Sequence, residues 1–306
     1  MGTFEPLRFS GEKPPLALIA GPTASGKSAY GVALARSAEE AGGRAVIINA
    51  DSAQVYADLR VLSARPSTEE MGGVEHKLFG TWDGADACSA ADWAVAAKRE
   101  IDALHTGGGV PVLVGGTGLY LRTLLEGIAP VPPIDPAVRE EVRAMAQERA
   151  RVALEREDAA AAARLAPADR ARTQRALEVV RSTGRRLAEW QTIKSGGIEA
   201  MVELDARILL PEREALYARC DRRFAAMVMS GAIEEVEALL ARRLSPELPV
   251  MRAIGVPEIA AHLCGALTLD DAIAAGQLAT RRYAKRQYTW FRHQPPPEWQ
   301  RLPHSL

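Results

Sequence analysis

LALIAGPTASGKSAY, residues 16–30, decides the fold. Its glycines and basic residue are spaced as a phosphate loop: Gly21, then Pro22, Thr23, Ala24 and Ser25, then Gly26, Lys27 and Ser28. The apolar run 16–20 before it reads as a buried strand, and residues 29–38 after it read as a helix. A glycine-rich turn between strand and helix lets backbone N–H groups converge on an anion. The helix N-terminus adds partial positive charge at the same place. Lys27 supplies a mobile cation and Ser28 a hydroxyl suited to Mg²⁺. The pattern predicts polyphosphate and magnesium; it does not choose ATP.

Further along, the same alternation recurs. RAVIINADSAQVY (44–56) contains an expected strand at 45–48, ending near Asp51. VPVLVGGTGLYLRTLL (110–125) contains another at 110–114, broken by Gly115 and Gly116, with a helix expected beyond. Continuous apolar strands alternating with helices predict an α/β fold: a phosphate-loop NTPase-like parallel sheet flanked by helices on both faces. Ligands of such sheets gather at the carboxyl ends of the strands. The phosphate loop, Asp51 and Thr117 all fall there. Asp51 is a strand-end carboxylate able to take a proton, although an Asp here also suits a cap or turn. Thr117 follows two glycines that admit a close ligand, and it also suits a helix cap. No strand-end Asp follows VPVLV, where many phosphate-loop NTPases carry one for Mg²⁺. Asp51 could take that part.

At APVPPIDP (129–136) the composition changes. Residues 137–189 are dense in Ala, Arg, Glu and Leu, a helical composition. SGG (195–197) closes this stretch, and MVELDARILLP (201–211) returns to a strand pattern. The expected organisation is a core of residues 12–130 and 201–294, interrupted by an inserted all-helical domain at 131–200. Pro295–Pro297 are expected to end the structured region. In RCDRRF (219–224), Arg219 and Arg223 share a helix face, poised for an anion or for solvent. RRYAKRQYTWFRH (281–293) carries Arg281, Arg282, Lys285, Arg286 and Arg292 without an acid, interleaved with Tyr283, Tyr288, Trp290 and Phe291. Such a mixture can hold phosphates and stack on bases; it also fits a solvated basic face over a buried aromatic one.

The chain has 306 residues and a net charge of −1, so bulk charge gives no nucleic-acid signal. Cys88, Cys220 and Cys264 lack zinc or disulfide spacing. His76, His105, His262, His293 and His304 stand singly, without metal spacing. The first dozen residues lack the apolar segment of a secretory signal, and no run approaches a membrane span. A cytoplasmic location without membrane association is the expectation.

Taken in order, GPTASGKS, DSAQVY, VGGTGLYL, DPAVR, RALEV, RAIG and AKRQYTWFR resemble the bacterial tRNA isopentenyltransferases, the tRNA dimethylallyltransferase family, across residues 16–292. The resemblance implies that the loop, residues 21–28, holds the diphosphate of dimethylallyl diphosphate. It implies transfer of the five-carbon group to N6 of adenosine 37 in tRNAs that read codons starting with U. By matching position, Asp51 would hydrogen-bond the amine and take its proton, and Thr117 would orient the substrates. Lys27 and Arg223 would stabilise the leaving diphosphate, with Ser28 on Mg²⁺. The tRNA anticodon stem-loop would meet Asp51, Ser52, Ala53, Gln54, Thr117, Arg139, Arg172, Gln174, Arg175 and Arg252. It would also meet Lys285, Arg286, Gln287, Trp290 and Arg292. The family's GYRE-type stretch reads GVPE here (255–258), which removes an aromatic and a cation at Val256 and Pro257. A monomer is the family's expected state. Three other classes remain open: an isopentenyltransferase acting on free adenine nucleotides, a small-molecule kinase, and a non-catalytic RNA-binding module.

Overall fold

Apolar runs without alternation belong in strands covered on both faces, and the computed structural model, which describes residues 5–303, places them so. In chain order the first half holds β1 (Pro15–Ala20), α1 (Lys27–Glu40), β2 (Ala45–Asn49), β3 (Glu75–Lys77), α2 (Ala90–Thr106), β4 (Val110–Gly115) and α3 (Gly118–Glu126). The inserted stretch holds β5 (Gly127–Ile128), α4 (Pro136–Ala144), α5 (Gln147–Glu157), α6 (Ala159–Arg164), α7 (Arg170–Thr183), α8 (Leu187–Gln191) and β6 (Ser195–Gly196). The chain then forms β7 (Glu203–Leu209), α9 (Arg213–Met227), α10 (Ile233–Ala241), α11 (Val256–Leu263), α12 (Leu269–His293) and β8 (Gln300–Leu302). His304 and residues 1–4 lie outside the described residues.

Six strands form one sheet in the order β3-β2-β4-β1-β7-β8, every pairing parallel. This is the phosphate-loop NTPase-like architecture. β1 lies near the middle, between β4 and β7, so its carboxyl end opens into the centre of the crevice. Ala17, Ile19, Ile47, Val112 and Val114 pack under Tyr30 and Leu34 of α1. Within α1, Gly31 stands where an added Cβ would come 2.6 Å from a Val114 methyl. That close approach seats the helix on the sheet.

The chain divides into two compact units, residues 1–124 with 199–306, and residues 125–198. The second unit has its own core of Val142, Ala150, Leu154, Ala162, Ala176 and Leu177. Asp135, Asp158 and Asp169 cap its helices through their side chains, and Arg181 ties Glu157 to Glu141. At its neck, β5 and β6 pair antiparallel. Ser195–Gly196 is therefore a strand, whereas the sequence read it only as the close of the helical stretch.

Besides β5 and β6, two short strands of the main sheet escaped the sequence reading, and one expectation is overturned. Residues 295–297 do not end the ordered chain: β8 follows and pairs with β7, with Trp299 buried. β3, with the sequence EHK, extends the opposite edge. Between α9 and α10 the helix widens into one π turn, Val228–Ala232, where Gly231 takes φ +105°. No helix among the described residues is long and apolar enough to cross a membrane.

Candidate active site

The loop after β1 carries two left-handed residues, Ala24 at φ +60° and Gly26 at φ +89°, which fold its backbone into a nest. Gly21 has no room for a side chain: an added Cβ would lie 2.7 Å from the Leu209 carbonyl oxygen. Lys27 opens α1 and is buried, with its ammonium donating to the Pro22 carbonyl (3.4 Å). Ser28 beside it is exposed. Burial pulls the Lys27 ammonium below the ordinary lysine range; Asp51 opposes this and Arg223 reinforces it.

Arg223 comes from α9, two hundred residues downstream, and its guanidinium donates to Thr23 Oγ1. Burial lowers its pKa too, opposed by Cys220 and Asp51. A buried lysine and a part-buried arginine thus meet at the loop, and the carboxylate acting on both is Asp51. An anion carrying more than one charge is the natural complement of that imbalance.

Asp51 is 9% exposed at the end of β2. Its N–H donates to Asn49 Oδ1 (2.9 Å), and its own Oδ1 accepts from Ala53 N–H (3.0 Å). One carboxylate oxygen caps the turn, as the cap reading required. Asp51 also lines the cavity described below. Asn49, missed in the sequence, is fully buried and braces this turn by donating to the carbonyls of Asp51 and Leu78. β2 and β4 are paired, with Asn49 opposite Val114. Asp51 therefore lies one strand over from the acid that many phosphate-loop enzymes carry. Thr117 does not spend its hydroxyl on its own helix: Oγ1 accepts from Ser52 N–H (2.9 Å) and donates to Ser52 Oγ (3.2 Å). Tyr283 of α12 lines the same cavity, and burial raises its phenol pKa.

Thr23, Asp51, Arg223 and Tyr283 border a cavity of about 330 Å³, while Lys27 and Thr117 stand behind its wall. Thr23, Asp51, Ser52 and Arg223 give it polar ground; Tyr56, Leu59, Leu62, Phe224, Met227 and Ile254 give it apolar walls; Arg252 and Arg286 also line it. On α9 the liners Cys220, Arg223, Phe224 and Met227 recur at helical spacing, one stripe turning from polar to apolar.

The family model described as IPP transferase matches residues 54–294. A tRNA dimethylallyltransferase of Erythrobacter litoralis is 68% identical over 95% of this chain and 92% of its own length. The chain belongs to the IPP transferase family. Another relative in that family, the tRNA dimethylallyltransferase of Sphingopyxis alaskensis, is 61% identical over 95% of this chain and 94% of its own. Among solved structures, the tRNA isopentenylpyrophosphate transferase of Bacillus halodurans superposes with a TM-score of 0.68 at 33% identity, covering 95% of this chain and 90% of that one. A eukaryotic dimethylallyltransferase acting on tRNA superposes with a TM-score of 0.77 at 26% identity, covering 91% and 70%.

In this IPP transferase the residues expected to meet tRNA divide into two groups. Ser52, Ala53, Arg252 and Arg286 border the cavity, and Lys285 and Arg292 are exposed on α12. In the helical unit Arg139, Arg172 and Arg175 are exposed; Arg172 leans on Asp169 (3.5 Å) and Arg175 on Glu178 (3.9 Å). Gln174 is half-buried, its amide 3.4 Å from the Arg143 carbonyl. Three side chains point elsewhere. Gln54 is buried and donates to the carbonyls of Ser63 and Ala64 (3.0 and 2.9 Å), shaping the loop that supplies Leu59 and Leu62. Gln287 is buried and bonded inside the protein at both ends of its amide. Trp290 packs over Gly118 with Arg122 against its ring, 5.6 Å from the centroid. The aromatic residues of RRYAKRQYTWFRH thus mainly serve packing: Phe291 is buried, and Tyr288 lies under Arg213. In GVPE, Val256 is buried, Pro257 occupies the first turn of α11, and Glu258 accepts from the Gly255 N–H (2.9 Å).

Proposed function

We propose that this chain transfers the dimethylallyl group of dimethylallyl diphosphate to N6 of adenosine 37 in tRNAs that read codons starting with U. The carbon–oxygen bond to the diphosphate breaks, a carbon–nitrogen bond to N6 forms, and diphosphate leaves. A tRNA prenyltransferase is the activity its relatives carry. The observation that carries the reading is the meeting of two cations, Lys27 and Arg223, with the Asp51 carboxylate at the phosphate loop, beside a cavity walled in part by Tyr56, Leu59, Leu62, Phe224, Met227 and Ile254. Apolar walls of this kind suit a five-carbon alkyl group.

Each residue then has a part. Breaking the allylic bond builds charge on the diphosphate. Loop N–H groups such as those of Gly26, Lys27 and Ser28, together with the Lys27 and Arg223 side chains, meet that charge as it builds. Asp51 accepts a hydrogen bond from the N6 amine and takes its proton as the new bond forms. Thr117 and Ser52 hold the turn that presents Asp51. Adenosine 37 leaves its loop stack to enter, at a cost of roughly a few kcal/mol. Arg252 and Arg286 grip the RNA at the cavity, and Lys285, Arg292, Arg139, Arg172 and Arg175 supply further phosphate contacts. The enzyme works as a cytoplasmic monomer on this reading.

Magnesium fits the donor set. Among the described residues no three acidic, Cys or His groups gather into a cage, but Mg²⁺ commonly binds through one or two protein oxygens plus substrate phosphates. The exposed Ser28 hydroxyl and the Asp51 carboxylate are such oxygens. When bound, the ion supplies charge neutralisation for the diphosphate.

Diphosphate release tests the reading. With unmodified tRNA and Mg²⁺, release should require both dimethylallyl diphosphate and tRNA. Release with AMP in place of tRNA would make this a nucleotide prenyltransferase. Phosphoryl transfer from ATP, with the allylic donor untouched, would make it a kinase.

A further inference from the structure

α12 has two faces with different tasks. Lys285, Arg286 and Arg292 are exposed, while Gln287 between them is 6% exposed. The Gln287 amide spans two other elements. Its Oε1 accepts the Thr23 N–H of the phosphate loop (2.8 Å), and its Nε2 donates to the Gly116 carbonyl after β4 (2.8 Å). Thr23 is thereby held twice, since its hydroxyl accepts from Arg223.

The glycines of VGGTGLY are the receiving half of this joint. A Cβ at Gly116 would lie 2.6 Å from Gln287 Nε2 and 2.8 Å from the Gly21 carbonyl oxygen. A Cβ at Gly118 would lie 2.6–2.8 Å from three atoms of the Trp290 ring. Gln287 and Trp290 are one helical turn apart on α12, and Gly116 and Gly118 flank Thr117. The helix can seat only where those side chains are missing, and its seat straddles Thr117.

We propose that Gln287 is a positioning residue for the donor loop, so that the seating of α12 on Gly116 and Gly118 sets the geometry in which diphosphate is bound. This rests on the donor reading given above. Gln287 does not touch the RNA; it joins the helix that carries Lys285 and Arg286 to the loop that carries Thr23. A grip on the outer face of α12 bears through that amide on the donor site.

The test measures binding of inorganic diphosphate, with Mg²⁺, by calorimetric titration in the absence of tRNA. The proteins are the unaltered chain, Gln287→Ala, Gln287→Met and Gly116→Ala. Gln287→Met keeps the volume of the side chain and removes both hydrogen bonds, so it carries the test if the alanine variant folds poorly. Both Gln287 variants should bind diphosphate at least tenfold more weakly and raise KM for the allylic donor in step. KM and Kd for tRNA should stay within about threefold. Gly116→Ala should show the same split from the other side of the joint. Variants that bind diphosphate as the unaltered chain does would overturn the proposal. So would variants that keep diphosphate and lose tRNA, which would make Gln287 an RNA contact. Failure of the unaltered chain to bind diphosphate would instead overturn the donor reading, and this proposal with it.

Discussion

At the residue scale, the chemistry concentrates in Lys27, Asp51, Thr117 and Arg223, contributed by three separate strand ends and one late helix. Asp51→Asn keeps the shape of the turn and still offers an oxygen to Ala53 N–H, but it cannot take a proton. Turnover should fall by about 10²–10⁴-fold, with tRNA affinity within a few-fold, as measured by single-turnover rates and filter binding. Lys27 adds a pH signature. Its ammonium is held below the ordinary lysine range chiefly by burial, so raising the pH discharges it early. Diphosphate affinity of the free enzyme should therefore drop on an alkaline limb lying below that range. Lys27→Arg should remove the limb, because a guanidinium stays charged. Stability has the opposite sign: the unfolded chain holds this proton more tightly, so Lys27 contributes rising stability as pH climbs from its folded to its unfolded pKa. Asp51 and Thr117 were legible because strand ends and glycine pairs constrain the backbone. The inward turn of the Gln54 and Gln287 amides was not legible, because a polar side chain in a motif gives no sign of which way it faces; only the partners Ser63, Ala64, Thr23 and Gly116 decide that.

At the element scale, α12 repays the closest reading. Its basic and aromatic residues sort by face, the aromatics largely inward and the cations outward. Lys285→Ala combined with Arg292→Ala changes two exposed cations that do not line the cavity. If both meet phosphates, tRNA affinity should weaken and the slope of log affinity against log salt should flatten by about two. An unchanged slope would make this a solvated face with no part in RNA binding. The long apolar strands β1, β2 and β4 could be read directly, since continuous burial leaves a continuous apolar run. β3 and β8 could not: three residues each, EHK and QRL, are too short and too polar to show a period. They form because β2 and β7 offer open edges, a tertiary cause. The π turn at Val228–Ala232 was equally hidden, its one local sign being Gly231 inside a helical pattern.

At the scale of the whole molecule, the chain is a phosphate-loop core interrupted once. The interruption was visible as a change in composition, but its neck was not, because a two-residue strand at Gly127–Ile128 leaves no pattern. Pairing of Gly127 with Gly196 brings the two ends of the insertion together. A chain in which residues 128–195 are replaced by a short Gly/Ser link should therefore still melt cooperatively and bind diphosphate within about threefold. Its tRNA affinity should fall at least tenfold, as checked by thermal melting and by titration with each ligand. A variant that bound tRNA undiminished would confine recognition to the core.

The central claim is the transfer itself, onto one adenosine. The most direct measurement supplies dimethylallyl diphosphate labelled in its alkyl group to the enzyme with Mg²⁺ and an unmodified anticodon stem-loop, beside the same stem-loop carrying guanosine at position 37. Label that enters the first RNA, is recovered as N6-dimethylallyladenosine, and is absent from the second is the predicted result. Label in neither RNA, or equally in both, would contradict the account.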